Sequence, residues 1–166
     1  MIYFDHSATT PLHLKVKELM DEVGGLHFGN PSSIHASGQK AKTLIETARG
    51  QMAKAIGCNS NEVIFTGGGS EANNLVLWDL IHHEKKHVVT SVIEHPAVLN
   101  VLDSLDEFGV SYTAVAVDKT GMVNPIDVQK AITAETGLIS IMLANNEMGT
   151  IQPIANIAAI SKDHGI

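Results

Sequence analysis

Apolar residues at Ala41, Leu44, Ile45, Ala48, Met52, Ala53 and Ile56 recur at the spacing of one helix face, which predicts a long amphipathic helix from Ser33 to a stop at Gly57. Leu12, Val16, Leu19 and Val23 repeat that spacing and predict an earlier helix ending at Gly24-Gly25. A short strand, Ile2–Phe4, and the turn Ser7-Ala8-Thr9-Thr10-Pro11 precede it, and a loop from Leu26 to Ser32 follows, with Ser32 or Ser33 expected to cap the long helix. Beyond Gly57 the period changes. Glu62–Thr66, His87–Ile93, Val110–Val117 and Gly137–Ala144 read as apolar strands, separated by helical spacing at Ser70–His83, Pro96–Phe108 and Pro125–Ala134, with a last helix from Pro153 towards His164. Strands alternating with helices predict βαβ units, so the expected fold class is α/β, a mostly parallel sheet flanked by helices.

Ligands of open parallel sheets bind outside the carboxyl ends of the strands. Three of the four predicted strands deliver polar groups there: Thr66-Gly67-Gly68-Gly69-Ser70, Glu94-His95-Pro96 and Asn145-Asn146-Glu147-Met148-Gly149. The glycine run lets the backbone turn sharply and bring N–H groups to an anion, and Ser70 stands where a helix begins, at the positive end of its dipole. This spacing is neither the dinucleotide fingerprint nor the P-loop. Together the clusters offer an anion seat, an imidazole and two amides for a flat, phosphorylated, heteroatom-bearing ligand. Each has a plainer reading as well: a connecting turn, a helix start at His95, and turn chemistry at Asn145-Asn146.

Composition narrows the classes. The chain has 166 residues, 44% of them hydrophobic and 17% charged, enough for a folded core. Its net charge of -7 gives no basic footprint for nucleic acid or an anionic membrane. No apolar run reaches the roughly 20 residues of a membrane span, and Met1-Ile2-Tyr3-Phe4-Asp5 lacks the features of a secretory leader, so a cytoplasmic location is expected. The single Cys58 offers no intrachain disulfide and no context that lowers a thiol pKa. His83-Glu84-Lys85-Lys86-His87 matches the zinc-hydrolase signature, but that chemistry needs one continuous helix, and the segment runs into the β-branched stretch Val88–Val92. His6, His27 and His35 lie in loops that are open to function.

Five blocks in order carry a family resemblance. They are Tyr3-Phe4-Asp5-His6-Ser7-Ala8-Thr9-Thr10-Pro11, Phe28-Gly29-Asn30-Pro31-Ser32-Ser33-Ile34-His35, Ile64-Phe65-Thr66-Gly67-Gly68-Gly69-Ser70-Glu71-Ala72-Asn73-Asn74, Glu94-His95-Pro96-Ala97-Val98, and Asn145-Asn146-Glu147-Met148-Gly149-Thr150-Ile151-Gln152-Pro153-Ile154. In these the chain resembles the NifS/IscS-type cysteine desulfurases of the class V aminotransferase group, pyridoxal-phosphate enzymes of fold type I. The resemblance implies that Gly69 and Ser70 hold the cofactor phosphate, that His95 stacks on the pyridine ring and shuttles a proton, and that Asn146 hydrogen-bonds the ring hydroxyl. Where the family commonly has Ala-Thr, this chain has Gly69-Ser70, which keeps the hydroxyl and the backbone donors.

The implied chemistry converts L-cysteine to L-alanine, with sulfur carried as a persulfide for iron–sulfur cluster or thiocofactor synthesis. The implied partners are a C-terminal half or a homodimer partner, and sulfur-acceptor scaffold proteins. Residues 1–15 correspond to the family's N-terminal active-site arm and 16–166 to an incomplete large domain. The family's His-x-Asp-x-x-Gln strand, Schiff-base Ser-x-His-Lys, catalytic Cys loop and substrate-binding Arg would all lie beyond Ile166, so the chain alone is expected to be inactive. Its sheet would follow part of the family order 3-2-4-5-6-7-1, leaving Glu62–Thr66 without neighbours and apolar faces exposed. Alternatives are a selenocysteine lyase or other class V fragment, and a non-catalytic interaction subunit.

Overall fold

The computed structural model describes residues 2–166. The chain divides into two compact units, Met1–Phe65 and Thr66–Ile166.

In the first unit, helix α1 spans Leu14–Leu26 and helix α2 spans Ala36–Ile56. The expected strand Ile2–Phe4 does not form: those residues pair with no neighbour among the described residues. α1 runs through Gly24-Gly25 instead of stopping there, because neither glycine adopts the left-handed conformation that closes a helix. Gly57 does adopt it, at φ 76°, and terminates α2 as predicted. The cap of α2 is neither Ser32 nor Ser33 but His35, whose Nδ1 accepts the Gly38 amide at 3.3 Å. Gly38 is required by close approach, since a Cβ there would lie 2.5 Å from Asn30 O and 2.6 Å from Ser33 O. α1 buries no residue and α2 only Gly38, Ala41 and Ala53. Leu19 and Ile56 are 58% and 66% exposed, and Val16 and Met52 are exposed as well, so the apolar stripes that predicted these helices lie largely uncovered.

Glu62–Thr66 is not a strand. A 3-10 turn at Ser60–Glu62 leads into extended backbone, with Val63 at φ -98°, ψ 121°. Its β-branched composition keeps it extended, but a strand exists only with a partner. Arg49 fastens it instead, donating from Nη1 to Val63 O and placing its guanidinium 5.0 Å from the Phe65 ring centroid.

The second unit is built on three parallel strands, β1 (His87–Ser91), β2 (Ser111–Val115) and β3 (Thr136–Ser140), in the order β2-β1-β3. Around them lie α3 (Gly69–Asp79), α4 (Pro96–Leu105), α5 (Pro125–Ala131) and α6 (Ile154–His164). The sequence predicts all of these elements; most close earlier than expected, while α3 and β3 each begin one residue sooner, at Gly69 and Thr136. α5 stops before Ala134 because Ile132 turns to the extended region and the Thr133 amide takes Thr136 Oγ1 as its acceptor at 2.8 Å. The central strand β1 is buried at every residue, as a parallel strand covered on both faces must be. Val88 packs with Leu77, Leu80, Val98, Leu102, Leu105 and Val110, while its neighbour Val89 packs with Val115, Val123, Val128 and Ile157. This period-two alternation puts α3 and α4 on one face and α5 and α6 on the other. Burying a side chain as completely as Leu102 contributes about 1.5–3 kcal/mol.

His87, second of the histidines in the apparent zinc signature, begins β1, so the helix that signature needs is interrupted. Its ring pins all three strands: Nδ1 pairs with Thr136 Oγ1 at 2.8 Å and Nε2 with Thr113 Oγ1 at 2.9 Å. Among the described residues no cluster of three or more His, Cys, Asp or Glu is arranged to hold a metal ion.

Burial pushes the His87 imidazole below its ordinary value of 6.5. The unfolded chain then binds this proton more tightly than the folded chain does. Its contribution to stability is present above about pH 6.5 and is lost as the pH falls towards the folded value. We predict that the urea midpoint drops between about pH 7.5 and pH 5.5, and that His87→Gln, which keeps hydrogen-bonding groups without a titrating ring, flattens the slope. An unchanged slope in the variant would show that His87 does not carry it.

Candidate functional site

The glycine turn opens α3. Gly68 precedes the helix, Gly69 and Ser70 form its first two positions, and the residues from Gly67 to Ser70 are exposed. Glu71 Oε2 accepts the Gly67 amide at 2.6 Å, and Thr66 Oγ1 donates to Gly68 O at 3.1 Å, which fixes the turn. Among the described residues the amides of Gly69 and Ser70 and the Ser70 hydroxyl have no partner. A Cβ built at Gly68 or Gly69 meets nothing within 4 Å, so the space before these donors is open. Exposed, unspent donors at the positive end of an 11-residue helix suit a phosphate group. Only four residues, His83 to Lys86, separate the 3-10 turn Leu80–His82 that follows α3 from β1, and Leu77 and Leu80 pack on Val88. The first turn of α3 therefore lies towards the edge where β1 ends.

His95 is exposed and caps α4, its Nδ1 accepting the Ala97 amide at 3.0 Å. The helix-start reading and the functional reading thus fall on one residue. A ring nitrogen that accepts an N–H carries no proton, so the neutral imidazole holds its proton on Nε2, the free nitrogen. Asn146 is exposed in the turn after β3, and its Nδ2 donates to Glu147 Oε1 at 3.1 Å. The segments that carry His95 and Asn146 are tied to each other: Asn145 Nδ2 donates to Ile93 O at 3.0 Å. The loop histidines His6, His27 and His35 belong to the first unit, where His35 serves as a helix cap. Cys58 follows the end of α2.

The part played by Glu71, which braces the glycine turn, is not visible in the sequence, and Glu94 and Asn145, expected among the polar groups offered at the strand ends, are instead buried. For Asn145 a signal was present in Asn-Asn-Glu-Met-Gly, since an Asn side chain that accepts amides two and three residues on is ordinary turn chemistry. Nothing in the sequence marked Glu94 as buried.

Residues 2–166 match the family described as Aminotransferase class-V. The chain is 46% identical over 168 residues to a protein named cysteine desulfurase IscS from Dictyoglomus turgidum, covering 99% of this chain and 43% of that protein. It is 45% identical to another of that name from Methanosarcina thermophila, covering 99% of this chain and 42% of that one. Among solved structures, SspA in complex with cysteine superimposes with a TM-score of 0.94 at 38% identity, over 99% of this chain and 48% of that one. A NifS-like protein superimposes with a TM-score of 0.93 at 36% identity, over 98% of this chain and 45% of that one. The chain therefore spans less than half the length of the relatives it matches.

The capping bond makes the tautomer of His95 testable. We predict that the long-range proton–nitrogen spectrum of the neutral ring shows the proton on Nε2, and that His95→Ala lowers stability by about 0.5–2 kcal/mol through loss of the cap. A proton on Nδ1 would contradict the geometry at α4.

Proposed function

We propose, because the chain belongs to the class-V aminotransferase family, that it is the N-terminal, cofactor-binding part of a pyridoxal-phosphate-dependent cysteine desulfurase. The observation that carries the reading is the set of exposed polar groups at one sheet edge: the unpartnered donors of Gly69 and Ser70, with His95 and Asn146 on segments tied by the Asn145–Ile93 bond. Support comes also from the cysteine desulfurases it resembles at 46% and 45% identity, and from the cysteine complex of SspA. The donor set fits pyridoxal 5'-phosphate. In this reading Gly69 and Ser70 hold the phosphate, His95 lies on the ring, and Asn146 hydrogen-bonds the ring hydroxyl.

When bound, the cofactor supplies an electron sink for carbanion chemistry at an amino-acid substrate. The residues of this chain bind, orient and move protons. His95 offers a proton at Nε2 while Nδ1 holds Ala97, so it starts as a hydrogen-bond donor, and to accept a proton at Nε2 the ring must first give up that capping bond. Substrate activation, sulfur transfer and binding of the substrate carboxylate belong to segments that the resemblance places elsewhere in the family's length. In this proposal residues 1–15 serve as the active-site arm and 16–166 as part of the large domain. The complete enzyme uses L-cysteine, works as a dimer in the cytoplasm and passes sulfur to scaffold proteins. No helix among the described residues is long and apolar enough to cross a membrane.

The test is reconstitution. With pyridoxal phosphate, L-cysteine and a dithiol to reduce the persulfide, the chain alone releases no sulfide, whereas mixing it with a polypeptide bearing the family's later motifs yields sulfide. Ser70→Ala in the mixture weakens the apparent cofactor affinity by about tenfold, the factor a strong hydrogen bond is worth. Turnover by the isolated chain would contradict the division of labour, and a mixture that binds cofactor but releases no sulfide would contradict the substrate.

A further inference from the structure

The ladder between β1 and β3 ends at Thr90 opposite Ser140, where Thr90 Oγ1 adds a bond to Ser140 O at 2.9 Å. Past that point two buried side chains join the loops that follow the strands. Glu94, 8% exposed, accepts with one oxygen, Oε1, from Ser91 Oγ at 2.8 Å and from the Met142 amide at 2.9 Å. Asn145, 6% exposed, reaches back: its Nδ2 donates to Ile93 O at 3.0 Å, and its Oδ1 accepts the amides of Glu147 at 2.9 Å and Met148 at 2.8 Å. A side chain of the first loop thus holds the backbone of the second, and a side chain of the second holds the backbone of the first. Each stands directly before an exposed residue of the candidate site, Glu94 before His95 and Asn145 before Asn146.

We infer that Glu94 and Asn145 are positioning residues, a reciprocal clamp that sets His95 and Asn146 at a fixed separation before any ligand arrives. The role of the clamp towards a cofactor rests on the reading of the site given above. Burying a carboxylate and an amide is costly unless they are hydrogen-bonded, and here Glu94 Oε1 accepts the Met142 amide and Asn145 Nδ2 donates to Ile93 O across the loops. An apolar pair would fill the same volume without fixing register between two segments that have left the ladder. Ligand groups held by side chains that are already locked need no further ordering on binding.

The chemistry of each residue gives separable variants. Glu94→Gln keeps an Oε1 that accepts both bonds, whereas Glu94→Ala leaves the Met142 amide without its acceptor. Asn145→Asp keeps the Oδ1 acceptor for Glu147 and Met148 but sets an oxygen against Ile93 O and gives up the weaker Nδ2 contact to Met142 Sδ, so the cross-loop tie breaks while the turn after β3 keeps its own bonds. The experiment uses the whole chain without ligand, and reads hydrogen exchange at Met142 and side-chain order at His95 and Asn146 by NMR. Glu94→Ala speeds Met142 exchange by about tenfold, as loss of one well-made hydrogen bond does, and Glu94→Gln restores it. Asn145→Asp loosens His95 and Asn146 while leaving the amides of Glu147 and Met148 protected. A second arm titrates pyridoxal 5'-phosphate, for which Asn145→Asp weakens binding by about tenfold and Glu94→Gln does not.

Unchanged side-chain order at His95 and Asn146 in Asn145→Asp overturns the clamp, whatever the cofactor does. If Glu94→Ala does not fold, Asn145→Asp and Glu94→Gln decide both arms. If His95→Ala and Asn146→Ala leave cofactor binding untouched while the ligand-free readouts move as stated, the clamp stands and the reading of the site falls.

Discussion

The second unit depends on one constraint: β1 is buried on both faces and must find every hydrogen-bonding and packing partner inside the protein. Its backbone pairs with β2 on one side and β3 on the other, in parallel. Parallel pairing demands crossovers, and these are α4 and α5, which with α3 and α6 cover Val88 and Val89. The same constraint fixes the two ends of the strand. At the start His87 joins the three strands through Thr136 and Thr113. Past the far end Glu94 and Asn145 join the emerging loops. The exposed chemistry of the molecule is arranged around the end where the ladder stops.

Little in the site is single-purpose. His95 starts α4 through Nδ1, so helix capping leaves the proton of the neutral ring on Nε2, the nitrogen that the fold does not use. The turn after β3 is built by Asn145, which frees Asn146. At α3 the side chain of Glu71 satisfies the Gly67 amide and leaves those of Gly69 and Ser70 unspent. In each case the residue doing the folding is next to, or the same as, the residue left available for binding. This is how a site on loops acquires the rigidity of a site on strands.

The sequence made the second unit legible because its elements are local and strongly patterned. The β-branched stretch Val88–Val92 and the prolines that open α4 and α5 announce themselves. It was less successful where structure depends on a partner. Ile2–Phe4 and Glu62–Thr66 have strand composition, but a strand is a relation between two segments, and no second segment accompanies them among the described residues. Gly24-Gly25 looked like a stop because glycine permits a left-handed turn, and permission is not necessity. In the site, Gly69, Ser70, His95 and Asn146 were named from type and position. The burial of Glu94 was not foreseen, because a buried acid is recognised only by what it bonds, and its bond to the Met142 amide joins residues 48 apart in the chain.

The central claim is that the glycine turn, His95 and Asn146 form one binding surface for a phosphorylated pyridine. Backbone and side-chain NMR shifts of the chain, followed as pyridoxal 5'-phosphate is added, test it most directly. The account predicts saturable shifts at Gly69, Ser70, His95 and Asn146 together, with one dissociation constant. Shifts confined to the first turn of α3, or centred on residues remote from all three segments, would contradict it.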